Sequence, residues 1–125
     1  MMTVNDTLDM RRFPVTVQTK CKNIDRIYPL KQDQVARIFN CASHFPIITR
    51  ITVFGSSVTP KCHIDSDIDL CIDADTSDGL KVFEMQKAIG DLCDWNCDIL
   101  MASSIGKALR ETIGKERVII YEQSA

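Results

Sequence analysis

The stretch "DIDLCID", residues 67 to 73, most narrows what this chain can fold into, because carboxylates and apolar side chains alternate in it with a period of two. In a β-strand successive side chains point to opposite faces, so Asp67, Asp69, Cys71 and Asp73 share one face while Ile68, Leu70 and Ile72 share the other. A helix would scatter both sets around its surface. The segment therefore predicts a strand with a packed apolar face and a row of carboxylates on its back. Burying several carboxylates together needs a compensating charge. An exposed sheet face tolerates alternating charge without one, and the Asp67–Asp69 pair taken alone fits either reading.

The flanking sequence predicts the other elements. Val35, Ile38, Phe39 and Ala42 recur at i, i+3, i+4 and i+7, an amphipathic helix from Lys31 that stops before Pro46. "IITRITVF" (47–54) is a β-branched strand ended by Gly55. Leu80, Phe83, Ile89 and Leu92 mark a helix over about 79–93, with Gly90 its weak point. "NCDILMA" (96–102) is a further strand, after which Ser103 or Ser104 caps a helix carrying Ile105, Leu109 and Ile113 and closed by Gly114. "RVIIY" (117–121) is the last strand. Strands alternating with helices imply an α/β (α+β) domain, a small sheet flanked by helices. Residues 1–30 stay an unassigned N-terminal extension, with a strand in "FPVTVQ" (13–18) and a helical turn in "NIDRIYPL" (23–30), and 31–125 form the domain.

The 125 residues allow one domain, and a net charge of −2 argues against a general nucleic-acid grip. No apolar run approaches membrane-spanning length, and the start "MMTVNDTLDMRR" lacks the apolar core of a signal peptide. Of the six cysteines, several sit in apolar segments, where a free thiol packs as a small hydrophobe. Cys93-x-x-x-Cys97 and Cys62-His63 lack the two-residue gap of a zinc knuckle, so reduced thiols in the cytoplasm are expected.

Two further features bear on chemistry. Gly55-Ser56 closes a strand and enters a helical turn, which leaves backbone N–H groups pointing outward to seat a phosphate. Asp98 places a third carboxylate inside an otherwise apolar strand, where it would destabilise the fold unless it faced the same cation. Gly55-Ser56, ten intervening residues, Asp67-Ile68-Asp69 and a later strand Asp98 together resemble the DNA polymerase β-like nucleotidyltransferase superfamily, most closely its minimal (MNT-type) branch. The resemblance spans about residues 33 to 121.

It implies the polymerase β-like nucleotidyltransferase fold with a small mixed sheet. It further implies that Asp67, Asp69 and Asp98 bind two Mg²⁺ ions, that Asp98 helps deprotonate the acceptor hydroxyl, and that Gly55, Ser56 and the following Ser57 hold the phosphates of ATP or another nucleoside triphosphate. The branch includes antitoxins that transfer AMP to a tyrosine of a HEPN-type toxin. Transfer of AMP to a hydroxyl of such a partner is thus the leading expectation, the acceptor being supplied by the partner or by self-association. The alternatives are modification of a small molecule or an RNA end, and an inactive binding module. The chain departs from many relatives in having Ser57 where they carry Arg soon after the Gly-Ser pair. Between Gly55 and Asp67 the only cationic candidates are Lys61 and His63; Lys61 reads as a solvated loop lysine, with substitution for that Arg the alternative, and His63 as loop surface. Asp65, Asp73 and Asp75 read as rim charges, and Trp95 as core or interface.

Overall fold

The computed structural model describes residues 13–14, 26–27, 30–59, 68–76, 78–93, 97–115 and 117–123. Strands β1 (Phe13–Pro14) and β2 (Arg26–Ile27) pair antiparallel as a separate two-stranded ladder. Arg26–Ile27 is thus strand and not the helical turn that its local sequence suggests. Its partner lies twelve residues or more upstream, beyond the reach of any local window. The domain proper begins with helix α1 (Gln32–Ser43), whose entry is fixed by Lys31 N–H donating to Gln34 Oε1 at 2.9 Å. Strand β3 (Ile48–Phe54) runs into a 3₁₀ turn at Gly55–Val58. There follow strand β4 (Ile68–Ala74), helix α2 (Gly79–Leu92) and strand β5 (Cys97–Met101), then helix α3 (Lys107–Lys115) and strand β6 (Arg117–Glu122).

The four longer strands form one mixed sheet in the order β5-β4-β3-β6, antiparallel except for the parallel pair β4–β5. Mixed pairing follows from the connections: α2 carries the chain across from β4 to its parallel neighbour, as parallel strands require. One face of the sheet, with Ile51, Val53, Leu70 and Ile72, packs against Val35, Ile38 and Ala42 of α1 and Met85 and Ile89 of α2. The opposite face carries a smaller cluster in which Phe54 and Cys71 meet Ile113 of α3. On the carboxylate face Cys71 is therefore covered by α3.

Two helices differ from the pattern in the sequence. In α2 the buried stripe is Met85 and Ile89 with Val82 and Leu92 beside it, while Leu80 and Phe83 stand 67% and 62% exposed. The helix starts one turn earlier than its buried face requires, because Asp78 caps it by accepting from Leu80 N–H at 3.0 Å. After β5, residues Ala102–Ser104 form a 3₁₀ turn, so neither Ser103 nor Ser104 caps α3, which begins at Lys107 and runs through Gly114. Ile105 precedes the helix, yet still packs on the second cluster with Leu109. Among the described residues no helix is long and apolar enough to cross a membrane.

Candidate active site

The site is assembled by sheet register. Asp69 on β4 pairs with Asp98 on β5 and, on its other side, with Phe54 at the end of β3. Directly opposed residues project to one face, and neighbouring strands lie about 4.8 Å apart, so the two carboxylates stand side by side. Asp69 is half-buried and Asp98 is exposed. Asp98 stands within the otherwise apolar β5, as expected, but β5 is the outer strand of the sheet among the described residues and the carboxylate is exposed, so it carries no desolvation cost there. Asp67 lies outside the described residues, as do Lys61, His63, Asp65 and Trp95.

The turn after β3 is built against Asp69. Gly55 adopts φ +81°, a conformation that L side chains rarely take. A Cβ at this position would overlap Asp69 Oδ2 and lie 3.3 Å from its Cγ. Glycine is required twice over, for the backbone angle and for the closeness of carboxylate and turn. Ser56 is exposed, and its hydroxyl has no partner among the described residues, which leaves it free to meet a ligand. Its carbonyl accepts from Thr59 N–H at 3.1 Å and closes the turn. Ser57 differs. It is fully buried and its hydroxyl donates to the Phe54 carbonyl at 3.4 Å, so its side chain shapes the turn from within.

The Cys97 thiol is raised well above the ordinary range, first by its hydrogen bond with Cys93, then by burial, with the charges of Asp98 and Asp69 adding to the effect. Cys41, Cys71, Cys93 and Cys97 are all free thiols. Further along the same face, Asp73 pairs in register with Arg50, which is held by Glu122 at 2.8 Å. Asp73 and the exposed Asp75 stand toward the far end of β4, away from the Asp69–Asp98 row.

The donor chemistry fits a hard divalent cation. Asp69 and Asp98 offer carboxylate oxygens from adjacent strands, with no thiol or imidazole on the row, and Mg²⁺ takes one or two carboxylates while phosphates and waters fill its remaining positions. Among the described residues no group of three His, Cys, Asp or Glu side chains stands close enough to hold a metal alone. Asp67, which precedes β4 by one residue, is the third carboxylate that the sequence offers.

The comparison with protein families gives the class of this domain. A family model described as "Polymerase beta, Nucleotidyltransferase" matches residues 36–125, and the chain belongs to that family. Among solved structures it is similar to a chain of the MntA–HepT toxin–antitoxin (20% identity, 74% of each chain covered, TM-score 0.55). It is likewise similar to a chain of the tri-AMPylated Shewanella oneidensis HEPN toxin in complex with MNT antitoxin (21% identity, 74% of this chain and 72% of that one, TM-score 0.55). A third likeness is to a toxin–antitoxin structure with AMP-PNP (21% identity, 76% of each chain, TM-score 0.57). No curated protein matches the chain by sequence.

Proposed function

We propose that this chain moves AMP from ATP, or another nucleotidyl group from its triphosphate, to a hydroxyl of a HEPN-type partner protein. The observation that carries the reading is the pairing of Asp69 with Asp98 beside a glycine turn packed against Asp69. Asp67, Asp69 and Asp98 would hold two Mg²⁺ ions, and Gly55 and Ser56 would seat the β- and γ-phosphates. Mg²⁺ held by these carboxylates would supply a lowered pKa at the acceptor hydroxyl and charge neutralisation on the triphosphate.

Each residue of the chain then has a defined task. Asp98, exposed at the sheet edge, faces the side from which an acceptor can approach and takes up the hydroxyl proton. The hydroxyl oxygen bonds to the α-phosphorus, the bond from that phosphorus to the bridging oxygen breaks, and pyrophosphate leaves. Such transfer depends on positioning and preorganised charge, which a small domain can supply. An acceptor bound to a partner needs no second domain here. The AMPylated HEPN toxin in complex with MNT antitoxin supports that class of partner, and the AMP-PNP complex supports a nucleoside triphosphate as donor. Residues 31–125 would be the transferase unit, working in the reducing cytoplasm where its thiols stay free.

The test is to incubate the chain with a HEPN-type partner encoded beside it and Mg-ATP, then weigh the partner intact. A gain of one or more AMP that disappears with Asp69→Asn supports the proposal. Tight binding with no adduct under any divalent metal or nucleotide would make the chain an inactive binding module. An adduct on a small hydroxylated molecule or an RNA end in place of the partner would move the acceptor class.

A further inference from the structure

The row of Asp98, Asp69 and Phe54 has a fourth member. β6 pairs with β3 on the side away from β4, and the residue opposite Phe54 is Arg117. Across the sheet the row therefore reads Asp98, Asp69, Phe54, Arg117, one residue from each strand. Opposed residues share a face, and Arg117 accordingly lines a cleft with Thr52, Cys71, Asp73 and Gly114 on the carboxylate side of the sheet. The chain leaves the sheet at Gly55, directly after Phe54, so the turn emerges with Asp69 on one flank and Arg117 on the other. Two strand spacings place the Cα atoms of Arg117 and Asp69 about 10 Å apart.

Three arginines line this cleft, and two are already engaged. Arg50 gives its Nε and Nη2 to Glu122 Oε2 at 2.8 Å each. Arg110 donates from Nη2 to the Ala102 carbonyl at 2.8 Å. Arg117 has no partner among the described residues, and its Nε is shut off from solvent without an acceptor. A buried donor left unsatisfied is costly, the more so on a charged group. The terminal Nη1 and Nη2 also have no partner among the described residues, and they are the atoms an arriving anion would meet. Meanwhile the turn from Gly55 to Thr59 contains no cation at all, and a triphosphate seated there needs one.

We infer that Arg117 is the cationic phosphate-binding residue of this chain, its guanidinium taking oxygens of the triphosphate on the flank of the Gly55–Ser56 turn opposite the carboxylates. The inference rests on the nucleotide site proposed above and adds to it the residue that supplies positive charge. Arg suits the position because its planar fork can grip two phosphate oxygens at once and stays charged at any working pH. The carboxylates with their cation and the guanidinium would then hold the phosphate chain from two sides.

The experiment titrates Mg-ATP, and separately Mg-tripolyphosphate, into the wild-type chain, Arg117→Gln and Arg117→Lys by calorimetry. Wild type should bind both ligands. Arg117→Gln should weaken both by at least tenfold, because the lost contact is to phosphate and not to the nucleoside, and Arg117→Lys should recover part of the loss. Thermal unfolding without ligand should show Arg117→Gln as stable as wild type or more so, since an unpaired buried donor has been removed. If wild type binds Mg-ATP and Arg117→Gln binds it within twofold, the inference about Arg117 is wrong while the nucleotide site stands. If wild type binds no Mg-ATP under any divalent metal, the nucleotide site itself fails. Should the glutamine variant not fold, Arg117→Met, which keeps the apolar stem and removes the charge, decides: affinity for tripolyphosphate equal to wild type would assign Arg117 to folding alone.

Discussion

Replacing Gly55 by alanine tests the contact between the turn and the site. Two costs can be separated. A left-handed backbone angle costs an L-residue roughly 1–2 kcal/mol relative to glycine, and φ at Gly55 is +81°. The second cost is steric: the new Cβ overlaps Asp69 Oδ2, so that carboxylate must rotate off the row or the turn must shift. Unfolding entropy near 2.1 cal/mol/K per residue gives about 260 cal/mol/K for a chain this long, so the backbone cost alone lowers Tm by about 4–8 °C. The steric part is isolated by a double-mutant cycle with Asp69→Ala, measured by circular dichroism melting. Gly55→Ala should cost more in the wild-type background than in the Asp69→Ala background, where the new methyl meets no carboxylate. Gly114→Ala is the control: its Cβ meets nothing within 4 Å inside α3, and it should raise stability by about 0.5–1 kcal/mol. Equal melting of Gly55→Ala and wild type, or an equal cost of Gly55→Ala with and without the Asp69 carboxylate, would refute the close approach of turn and carboxylate.

Three other outcomes follow from the same geometry. Asp98→Asn, measured by urea unfolding in excess chelator, should stabilise the metal-free protein by roughly 0.2–1 kcal/mol, because it relieves like charge directly across from Asp69; a loss of stability would contradict the repulsion. Burial, aided by Asp73, pushes the Cys71 thiol up from 9.0 to about 11. The folded state therefore holds this proton where the unfolded chain releases it, so its stabilising contribution is full below pH 9 and is lost as pH rises toward 11. Cys71→Ala should flatten that slope, and an unchanged slope would overturn the assignment. On α2, Leu80→Ser and Phe83→Ser should shift stability by no more than about 0.5 kcal/mol, whereas Met85→Ala should cost about 2–5 kcal/mol; comparable losses at all three would place the buried face of α2 elsewhere.

Much of this was legible in the residues because local patterning and register agree. The alternation in 67–73 specifies both the strand and its carboxylate face, and a β-branched run ended by Gly55 specifies the turn that abuts it. Asp98 could be tied to Asp69 because both stand in strands and carry the same unusual chemistry. Arg117 was invisible for the opposite reason. It opens an ordinary apolar strand, and only the pairing of β6 with β3 brings it to the row. Arg26–Ile27 shows no strand pattern of its own on the same ground, since a two-residue ladder has no local signature. Leu80 and Phe83 satisfy helical spacing but lie on the exposed face of α2, which no described strand or helix covers. Ser57 sits beside the exposed Ser56 in sequence, yet the tight 3₁₀ geometry turns it inward. Periodicity reports that a helix or turn forms, and tertiary packing decides which side it buries.

In the proposed site Asp67, Asp69 and Asp98 would gather divalent metal around a bound triphosphate. Its most direct measurement is Mn²⁺ uptake by electron paramagnetic resonance in the presence of a non-hydrolysable ATP analogue, where bound Mn²⁺ loses the free-ion signal. The wild-type chain should withdraw Mn²⁺ from the free pool beyond what the analogue withdraws alone, and Asp69→Asn and Asp98→Asn should each abolish most of that excess. If both variants fold and take up as much Mn²⁺ as wild type, the carboxylate row does not hold the metal and the account of this site is wrong.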